Sequence, residues 1–321
     1  MSTDSTMFAT VTRRVQETPN IISIELCAEH GGVLPAFEAG AHIDVHVSAG
    51  VVRQYSLCNP PSEQHRYVIG VLLDPTSRGG SVAIHEGFAE GSRVEIGVPR
   101  NHFPLLPSGG SILIAGGIGV TPILCMAEAL HSQGRNFSMH YCARSRPQAA
   151  FLERIQHASF ASRVAVHFDD EASEQKLDID KIISQARDDD EFYVCGPSGF
   201  IDWVCASAEK AGIAKHRIRF EYFNAKLVDT SHDQPFQVQV ASTGQVFDIP
   251  ADRSITSVLC EAGVDIYTSC EEGTCGTCVT RIINGVPDHR DVFLTDDEHA
   301  AGDVFTPCCS RAKSEMLVLD L

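Results

Sequence analysis

Cations, long apolar runs and an export signal are all scarce or missing in this sequence of 321 residues. Lysine and arginine number 25 against 42 aspartates and glutamates, a net charge of −17 that argues against nucleic acid or an anionic membrane as the main partner. No stretch approaches the roughly 18 apolar residues that a transmembrane helix requires. The opening MSTDSTMFATVTRRVQ lacks a basic segment followed by an apolar one, so we expect no secretory signal and a cytoplasmic protein.

Cysteine, in contrast, is abundant. Twelve cysteines in a chain without an export signal indicate metal or redox chemistry and not a disulfide framework. Hydrophobic residues at 43% and charged residues at 21% are ordinary for a globular protein, which excludes a disordered or fibrous chain. The length is sufficient for two or three domains.

The acidic excess is concentrated at the end of the chain. Residues 236–321 carry 5 basic and 14 acidic side chains, a net charge of −9, which is over half of the total. Such a field suits docking onto a basic protein surface. The alternative is a solvated acidic face that only keeps the domain soluble.

The pattern of residue types along the chain predicts three domains. Residues 1–108 hold short β-rich runs between Gly, Pro and Asn clusters, at the spacing of a barrel. Residues 109–225 alternate strand-like and helical runs, which predicts a parallel α/β sheet. Residues 226–235 are polar and end in proline, so they are predicted to be a linker. Residues 236–321 contain a hairpin, a helix, a cysteine loop and a closing strand.

The most specific motif is Cys270-x4-Cys275-x2-Cys278, followed by Cys308 thirty residues later. This is the plant-type ferredoxin spacing, in which four thiolates hold a [2Fe–2S] cluster. Glycines inside the loop let the backbone turn tightly, with amides directed toward the sulfur atoms. Zinc is the alternative, but zinc sites favour paired C-x2–4-C knuckles and this loop has one.

The fourth ligand must be chosen between the adjacent Cys308 and Cys309. Neighbouring residues in a strand point in opposite directions, so both cannot face one cluster, and the spacing favours Cys308. Six other cysteines lie in apolar contexts and are expected to be buried core residues: Cys27, Cys58, Cys125, Cys142, Cys205 and Cys260.

Two short strings in the first segment suggest a flavin site. Arg53-Gln54-Tyr55-Ser56-Leu57 places an arginine, an aromatic ring and a hydroxyl along one strand, where they can meet a phosphate and an isoalloxazine ring. Arg78-Gly79-Gly80-Ser81 opens a predicted helix, and glycine amides at a helix N-terminus form a phosphate cradle. Each string alone is equally well explained as a basic strand or a glycine turn.

Two turns in the second segment suggest a dinucleotide site. Residues 116–122, GGIGVTP, join a buried strand to a helix in a glycine-rich turn suited to pyrophosphate, although they do not spell G-x-G-x-x-G. Residues 195–198, CGPS, end the last strand of the segment, where open α/β sheets bind ligands. The alternative for either turn is a tight connection without a ligand.

These motifs in this order (R-x-Y-S, R-G-G-S, G-G-I-G-V-T-P, C-G-P and C-x4-C-x2-C…C) resemble the phthalate dioxygenase reductase family, which includes the reductases of vanillate demethylase and carnitine monooxygenase. The resemblance covers nearly the whole chain, including PDHRD at 287–291. It implies a multidomain fold: an antiparallel β-barrel flavin domain, an α/β parallel-sheet nicotinamide domain and an α+β β-grasp ferredoxin domain. It further implies FMN in place of FAD, NADH as the donor, and a monomer.

The resemblance also implies roles for individual residues. The flavin phosphate would be held by Arg53, Gly79, Gly80 and Ser81. The isoalloxazine ring would be lined by Tyr55, Ser56, Leu57 and the backbone of Gly70, Val71 and Leu72, with Phe223 stacked on it. Thr121 would approach the reactive flavin edge, and Cys195 would lie near the nicotinamide ring. The remaining dinucleotide contacts would come from Gly116, Gly117, Gly119, Gly196 and Pro197.

The function expected from these parts is the reductase component of a two-component Rieske non-haem iron oxygenase, which takes hydride from NADH and passes single electrons onward. A reductase of the same build could instead serve a diiron or haem monooxygenase, although such systems commonly place the ferredoxin domain first. A non-catalytic iron–sulfur scaffold is the third possibility, against which the intact Arg53, Tyr55, Ser56 and Ser81 argue.

Overall fold

The computed structural model describes residues 6–48, 51–74, 79–224 and 228–321. The chain divides into two compact units, Met1–Glu221 and Tyr222–Leu321. Across the described ranges, none of the helices has the length and apolar character needed to cross a bilayer. The finer division into domains ending at residues 108 and 225, with a linker over 226–235, stays a prediction.

The first sheet is antiparallel and has six strands in the order β4-β3-β6-β1-β2-β5. Its elements are β1 (Thr6–Thr18), β2 (Ile21–Ala28), β3 (His42–Ser48), β4 (Val51–Ser56), β5 (Tyr67–Leu72), α1 (Gly80–Gly87) and β6 (Arg93–Gly97). Its two edges approach each other just beyond β4, where Leu57 bridges Ile69 and the Cys58 amide donates to the Val68 carbonyl at 2.9 Å. The predicted antiparallel barrel architecture is confirmed, with this short contact in place of a continuous closing ladder.

The second sheet has five strands in the order β11-β10-β7-β8-β9, and its β10, β7, β8 and β9 are parallel neighbours. Its elements are β7 (Gly110–Gly116), α2 (Val120–Ser132), β8 (Phe137–Ala143), α3 (Leu152–His157), β9 (Val164–Phe168), α4 (Ile179–Gln185), β10 (Asp190–Gly196), α5 (Ser198–Lys210) and β11 (Ile218–Tyr222). Strand β7 is buried along its whole length, as expected for a central parallel strand covered on both faces. The predicted α/β parallel sheet is confirmed, and the carboxyl ends of β7 and β10 lie side by side.

The second unit is a mixed sheet in the order β13-β12-β18-β14-β16, beside a small β15-β17 pair. Its elements are β12 (Phe236–Val240), β13 (Val246–Ile249), α6 (Ile255–Glu261), β14 (Thr280–Asn284), β15 (Pro287–Asp288), α7 (Asp296–Ala301), β16 (Val304–Phe305), β17 (Arg311–Ala312) and β18 (Met316–Leu319). Strand β12 is antiparallel to β13 and parallel to β18. Helix α6, capped by Ser254, packs Ile255 and Leu259 into the core of this sheet. The predicted β-grasp fold is confirmed.

The described part of the predicted linker, residues 228–235, is anchored to the second unit. The Asp233 carboxylate, 8% exposed, pairs with Arg290 at 2.6 Å and with Arg311 at 3.5 Å. The guanidinium of Arg290 holds the pKa of Asp233 below its usual range. The end of this segment is therefore fixed by charge and does not hang freely from the sheet.

Two expectations about cysteines are wrong. Cys308 and Cys309 lie in a turn after β16 and not in a strand, so strand alternation is not what separates their side chains. Cys260 is exposed, because the buried face of α6 is set by Ile255 and Leu259, and residue 260 is one step off that face. Cys58 and Cys125 are buried as expected, while the remaining three are half-buried: Cys27, Cys142 and Cys205.

Candidate functional site

The four cysteines of the predicted cluster motif come together in one buried nest. Cys270, Cys275, Cys278 and Cys308 are each between 3% and 7% exposed. The Cys270 thiol is within hydrogen-bonding reach of the Cys275 and Cys308 thiols, and Cys308 also reaches Cys278. Hydrogen bonds from the Cys275 and Cys308 thiols lower the pKa of Cys270. Four converging sulfur atoms with no disulfide fit a group bound by thiolates.

The backbone of the loop is shaped to support thiolate charge. The amides of Glu272 and Thr274 each donate to the Cys270 sulfur at 3.4 Å. Gly273 and Gly276 have φ values of 73° and 69°, and a Cβ at Gly276 would lie 2.2 Å from the Phe293 ring. The glycines are therefore required by both conformation and packing, and they let the loop turn its amides toward sulfur.

Cys309 occupies a different environment from Cys308. Its thiol lies 3.3 Å from the Thr306 hydroxyl and 3.8 Å from the Ser310 hydroxyl. The Cys309 thiol also reaches Cys308 and lies beside Gly273 of the cluster loop, whereas Cys308 contacts two of the other motif cysteines, Cys270 and Cys278. The contacts favour Cys308 as the fourth ligand, in line with the spacing, and the assignment itself stays a prediction.

The residues predicted to hold the flavin phosphate meet at the start of α1. Gly79 precedes the helix with a φ of 82°, and a Cβ on Gly80 would lie 2.7 Å from the Arg53 side chain. The Ser81 hydroxyl contacts the backbone amide of Asp74 at 3.1 Å and its carbonyl at 3.3 Å. Glycine amides, a guanidinium and a hydroxyl at a helix N-terminus suit a phosphate monoester. Arg78, also part of this motif, lies outside the described residues.

The predicted isoalloxazine region lies where β4 and β5 face the second sheet of the same unit. A Cβ on Gly70 would be 2.8 Å from the Thr121 methyl group and 3.2 Å from the Phe151 ring, so only glycine fits between them. Burial raises the pKa of Tyr55. Leu57 is fully buried, while Leu72 is 39% exposed.

Backbone groups along β5 are already partly engaged. The Val71 carbonyl lies 3.0 Å from the His85 ring nitrogen. The Phe151 ring was not predicted, because its residue lies in the connection before α3 and adopts a left-handed φ of 58°, held by a hydrogen bond from its amide to the Glu17 carboxylate. No sequence pattern marks such a position.

The predicted dinucleotide glycines form a close-packed seam between β7 and β10. A Cβ at Gly119 would lie 2.3 Å from the Cys195 carbonyl oxygen. A Cβ at Gly196 would lie 3.0 Å from the Cα atom and the carbonyl oxygen of Gly116. Gly117 differs, because it has a φ of 53° with open space around it. Gly119 and Gly196 are thus needed for close backbone approach, Gly116 packs against the Phe200 ring, and Gly117 is the glycine that leaves room for a ligand.

Replacing Gly119 by alanine is expected to destabilise the first unit by about 2–3 kcal/mol, because the clash is with backbone and no side chain can move aside. The matched control is Gly199→Ala, which has nothing within 4 Å of its added methyl and lies in helix α5. That change is expected to be neutral or to stabilise by up to ~1 kcal/mol. Urea denaturation of both variants checks this, and equal midpoints would contradict it.

A buried carboxyl group that the sequence did not reveal lies beside two predicted site residues. Glu221, on β11, accepts a hydrogen bond from the Ser56 hydroxyl at 3.5 Å, and it lies close enough to Cys195 that ionised Glu221 would raise the pKa of that thiol. Burial raises the pKa of Glu221 to about 8, so the group is mostly protonated at pH 7. Burial likewise raises the pKa of Cys195, which stays a neutral thiol.

Two predicted residues lie at the edges of these elements. Pro197 precedes α5 as its N-cap residue and is exposed. Phe223 directly follows β11 and is half-buried. Their roles, like those of the other flavin and nicotinamide residues, stay predictions.

Comparisons with known proteins identify both halves of this arrangement. The "Oxidoreductase NAD-binding domain" family profile matches residues 113–206, and the "2Fe-2S iron-sulfur cluster binding domain" profile matches residues 238–313. The "Vanillate O-demethylase oxidoreductase" of Pseudomonas putida is 53% identical over 315 residues, covering 98% of this chain and 99% of that protein. The nest therefore belongs to a 2Fe-2S domain, and the zinc alternative is set aside.

Two solved structures share the fold. A structure of phthalate dioxygenase reductase, described as modular for electron transfer from pyridine nucleotides to [2Fe-2S], is 38% identical with a TM-score of 0.79 and covers 99% of this chain and 98% of its own. An intact type IV self-sufficient cytochrome P450 monooxygenase is 34% identical with a TM-score of 0.84, and the match covers 98% of this chain but 41% of that one.

Proposed function

The chain belongs to the phthalate dioxygenase reductase family, and from that membership we propose that it is the NADH-dependent reductase of a cytoplasmic two-component Rieske oxygenase. The observation that carries the proposal is the presence, in one chain, of an NAD-binding domain and a four-thiol 2Fe-2S nest. NADH delivers two electrons together and the cluster accepts one, so a flavin is needed between them. The chain is an oxidoreductase whose own residues bind and position these groups.

The residues at the predicted flavin phosphate site fit FMN. Arg53, the Gly79 and Gly80 amides and the start of α1 offer one compact phosphate cradle, which suits the single phosphate of FMN. Thr121 and Gly70 are in contact at the place proposed for the ring edge. FMN, when bound, supplies the conversion from two-electron to one-electron transfer. The protonated Glu221 keeps the region between Ser56 and Cys195 uncharged.

A Rieske oxygenase is the proposed acceptor, and a haem monooxygenase is the alternative. Vanillate demethylase and phthalate dioxygenase reductases are named for separate oxygenases, and this chain matches such a reductase over nearly its full length. The cytochrome P450 match favours the alternative, because the same architecture there forms under half of a self-sufficient enzyme. Reconstitution with a purified Rieske oxygenase or a haem monooxygenase separates the two, through the rate of cluster reoxidation.

The test of the core proposal is anaerobic stopped-flow reduction of the purified protein. We expect NADH to bleach a flavin band first and the broad cluster absorption afterwards, and the flavin released by acid to have the mass of FMN. A protein with cluster absorption but no flavin would overturn the proposal in favour of an iron–sulfur scaffold. Release of FAD would overturn only the choice of flavin.

The preference between NADH and NADPH is expected to favour NADH by roughly tenfold or more in kcat/KM. Asp169 and Asp170 follow β9 and are exposed, and they would repel a 2′-phosphate. Arg146 follows β8 and is a cation that could otherwise bind a 2′-phosphate. Its guanidinium lies 4.9 Å from the centre of the Phe168 ring and is therefore stacked on that ring. Steady-state kinetics with both donors decides the question, and Asp169→Asn/Asp170→Asn should narrow the difference. A preference for NADPH would show the prediction to be wrong.

The acidic side chains in and near the cluster loop, residues 270–278, are proposed to attract the partner oxygenase electrostatically. Glu271 is exposed and Glu272 is half-buried within the loop, and a second acidic run, Asp296–Glu298, opens α7. Exposed charges mainly accelerate encounter, and salt screens them over about 8–10 Å. Glu271→Gln/Glu272→Gln is therefore expected to slow reduction of the oxygenase on the order of three- to tenfold at low salt and to flatten its salt dependence.

The matched control removes two other exposed carboxylates from the same domain. Asp248→Asn/Glu315→Gln changes the net charge equally but alters β13 and the residue before β18. Reduction of flavin by NADH should be unchanged in both double variants. If the two variants slow the oxygenase equally, the acidity acts through net charge alone, and if neither does, it serves solubility.

A further inference from the structure

A cluster of two histidines and one aspartate in the second unit is not used by any of the chemistry above. His289, Asp291 and His299 present one nitrogen or oxygen atom each, and these three atoms lie within 4.8 Å of one another. His289 and Asp291 come from the PDHRD segment after β14, and His299 comes from α7. The chain therefore brings together residues from two elements at this point.

The aspartate is held rigidly at the centre of the cluster. Its side chain is fully buried, and its Oδ2 accepts hydrogen bonds from the Phe293 amide at 3.2 Å and the Leu294 amide at 2.7 Å. Its Oδ1 is left to face the histidines, 3.2 Å from His299 Nε2 and 3.7 Å from His289 Nδ1. One carboxylate oxygen is thus committed to the backbone and the other is directed at two imidazoles.

Hydrogen bonding alone does not account for His289. Its side chain is 11% exposed, and among the described residues neither of its ring nitrogens has a hydrogen-bond partner. An imidazole always carries at least one N–H, so leaving it buried and unpaired costs about 1–3 kcal/mol. The hydrogen bond between His299 and Asp291 does not remove this free-energy cost, because it provides a partner for His299 and none for His289.

We propose that His289, Asp291 and His299 form a site for a divalent transition-metal ion such as Zn²⁺, distinct from the cysteine nest. Nitrogen and oxygen ligands at about 2.0–2.2 Å from a tetrahedral ion lie roughly 3.3–3.4 Å apart, and the two separations from Asp291 Oδ1 to the histidine nitrogens are 3.2 Å and 3.7 Å. Two histidines and one carboxylate form a common ligand set for such ions, and the partial exposure of His299 leaves a path for entry.

The charges around the site suit a cation. The carboxylates of Asp288 and Asp291 lie near the His289 ring, together with the His299 ring and the ammonium group of Lys313. Glu298, held in the capping box of α7, adds to the surrounding acidity.

An ion at this site would fasten two segments to the cluster loop. The Asp291 backbone and Cβ pack against Gly273 of that loop, and the Val292 amide donates to the Gly273 carbonyl at 3.1 Å. Because His299 belongs to α7, coordination would tie this short helix to the same loop. The ion would thus stabilise the loop that holds the cluster and would take no part in electron transfer itself.

The experiment uses the holoprotein with its full iron content. After equilibrium dialysis against Zn²⁺, inductively coupled plasma mass spectrometry should find that zinc binding saturates at one zinc ion for every two iron ions. His299→Ala should weaken zinc binding more than ~100-fold, because the loss of a direct ligand exceeds that of an outer-shell partner. His232→Ala, which removes an exposed histidine of the same unit, should bind zinc as the parent does.

X-ray absorption at the zinc edge tests the proposal on the unmodified protein, whatever the variants do. The expected first shell contains nitrogen and oxygen at about 2.0–2.2 Å and no sulfur at about 2.3 Å. A sulfur shell would place the zinc on cysteines and overturn the proposal. So would the absence of saturable zinc, or equal affinity in His299→Ala and the parent, either of which would leave a hydrogen-bonded His–Asp–His cluster only.

Discussion

Cys308→Ser is expected to lose the [2Fe–2S] cluster or shift its signal strongly, while Cys309→Ser keeps it. Cys308 contacts the Cys270 and Cys278 thiols, whereas Cys309 is engaged with Thr306 in its own turn. A cluster ligand cannot be replaced by a hydroxyl without weakening the bond to iron, since thiolate is the ligand these clusters select. The two variants differ by one position in the chain, so each is the matched control of the other.

Iron content, visible absorption and the electron paramagnetic resonance spectrum of the reduced protein measure the outcome. Iron per chain should fall well below two in Cys308→Ser and remain near two in Cys309→Ser. Flavin reduction by NADH should persist in both, because that chemistry depends on residues of the first unit. Loss of the cluster in Cys309→Ser with retention in Cys308→Ser would reverse the ligand assignment.

Local patterns in the sequence predicted the barrel and the parallel sheet, the family resemblance added the β-grasp fold, and the cysteine spacing predicted a cluster ligand set that stays a prediction. The apolar run that became β7 is buried throughout, and the glycine-rich turn that follows it leads into α2 as expected. The Cys270–Cys278 spacing is decisive because three ligands within nine residues must wrap a single group. In each case the physical cause acts between residues that are close in the chain.

What the sequence did not reveal depends on residues that are far apart. Glu221 meets Ser56 across 165 positions, and no period or motif connects them. Strand alternation was expected to separate Cys308 from Cys309, and spacing favoured Cys308, but both residues lie in a turn, where the contacts of each thiol distinguish them. His289 and Asp291 stood in a recognisable segment, yet their partner His299 is supplied by a separate helix.

Replacing Glu221 by glutamine is expected to change how stability depends on pH. Burial raises the pKa of Glu221 from 4.5 to about 8 in the folded chain, while the unfolded chain keeps the ordinary value. Between pH 4.5 and 8 the folded state therefore binds more protons, so this group's contribution to stability is fully present below about pH 4.5 and is lost as the pH rises to 8. Glutamine is uncharged throughout and has no such loss.

The size of the effect follows from the shift and from the partial exposure of the residue. A shift from 4.5 to about 8 corresponds to roughly 5 kcal/mol, and because a small part of Glu221 reaches solvent we expect about 4–5 kcal/mol. The free energy of unfolding of Glu221→Gln, relative to the parent, should therefore rise by that amount between pH 4.5 and 8.5. Other titrating groups cancel in this difference, because they are common to both proteins.

Urea denaturation across this pH range measures the difference directly, with Glu209→Gln as control, since Glu209 is an exposed carboxylate on α5 of the same unit. The control should follow the parent at every pH. A constant difference between Glu221→Gln and the parent would mean that the Glu221 carboxyl ionises normally. The region between Ser56 and Cys195 would then carry a negative charge at neutral pH, and a buried carboxylate there would oppose the approach of an anionic dinucleotide. A difference that grows with pH instead identifies Glu221 as the group that keeps this region neutral where flavin and nicotinamide are proposed to meet.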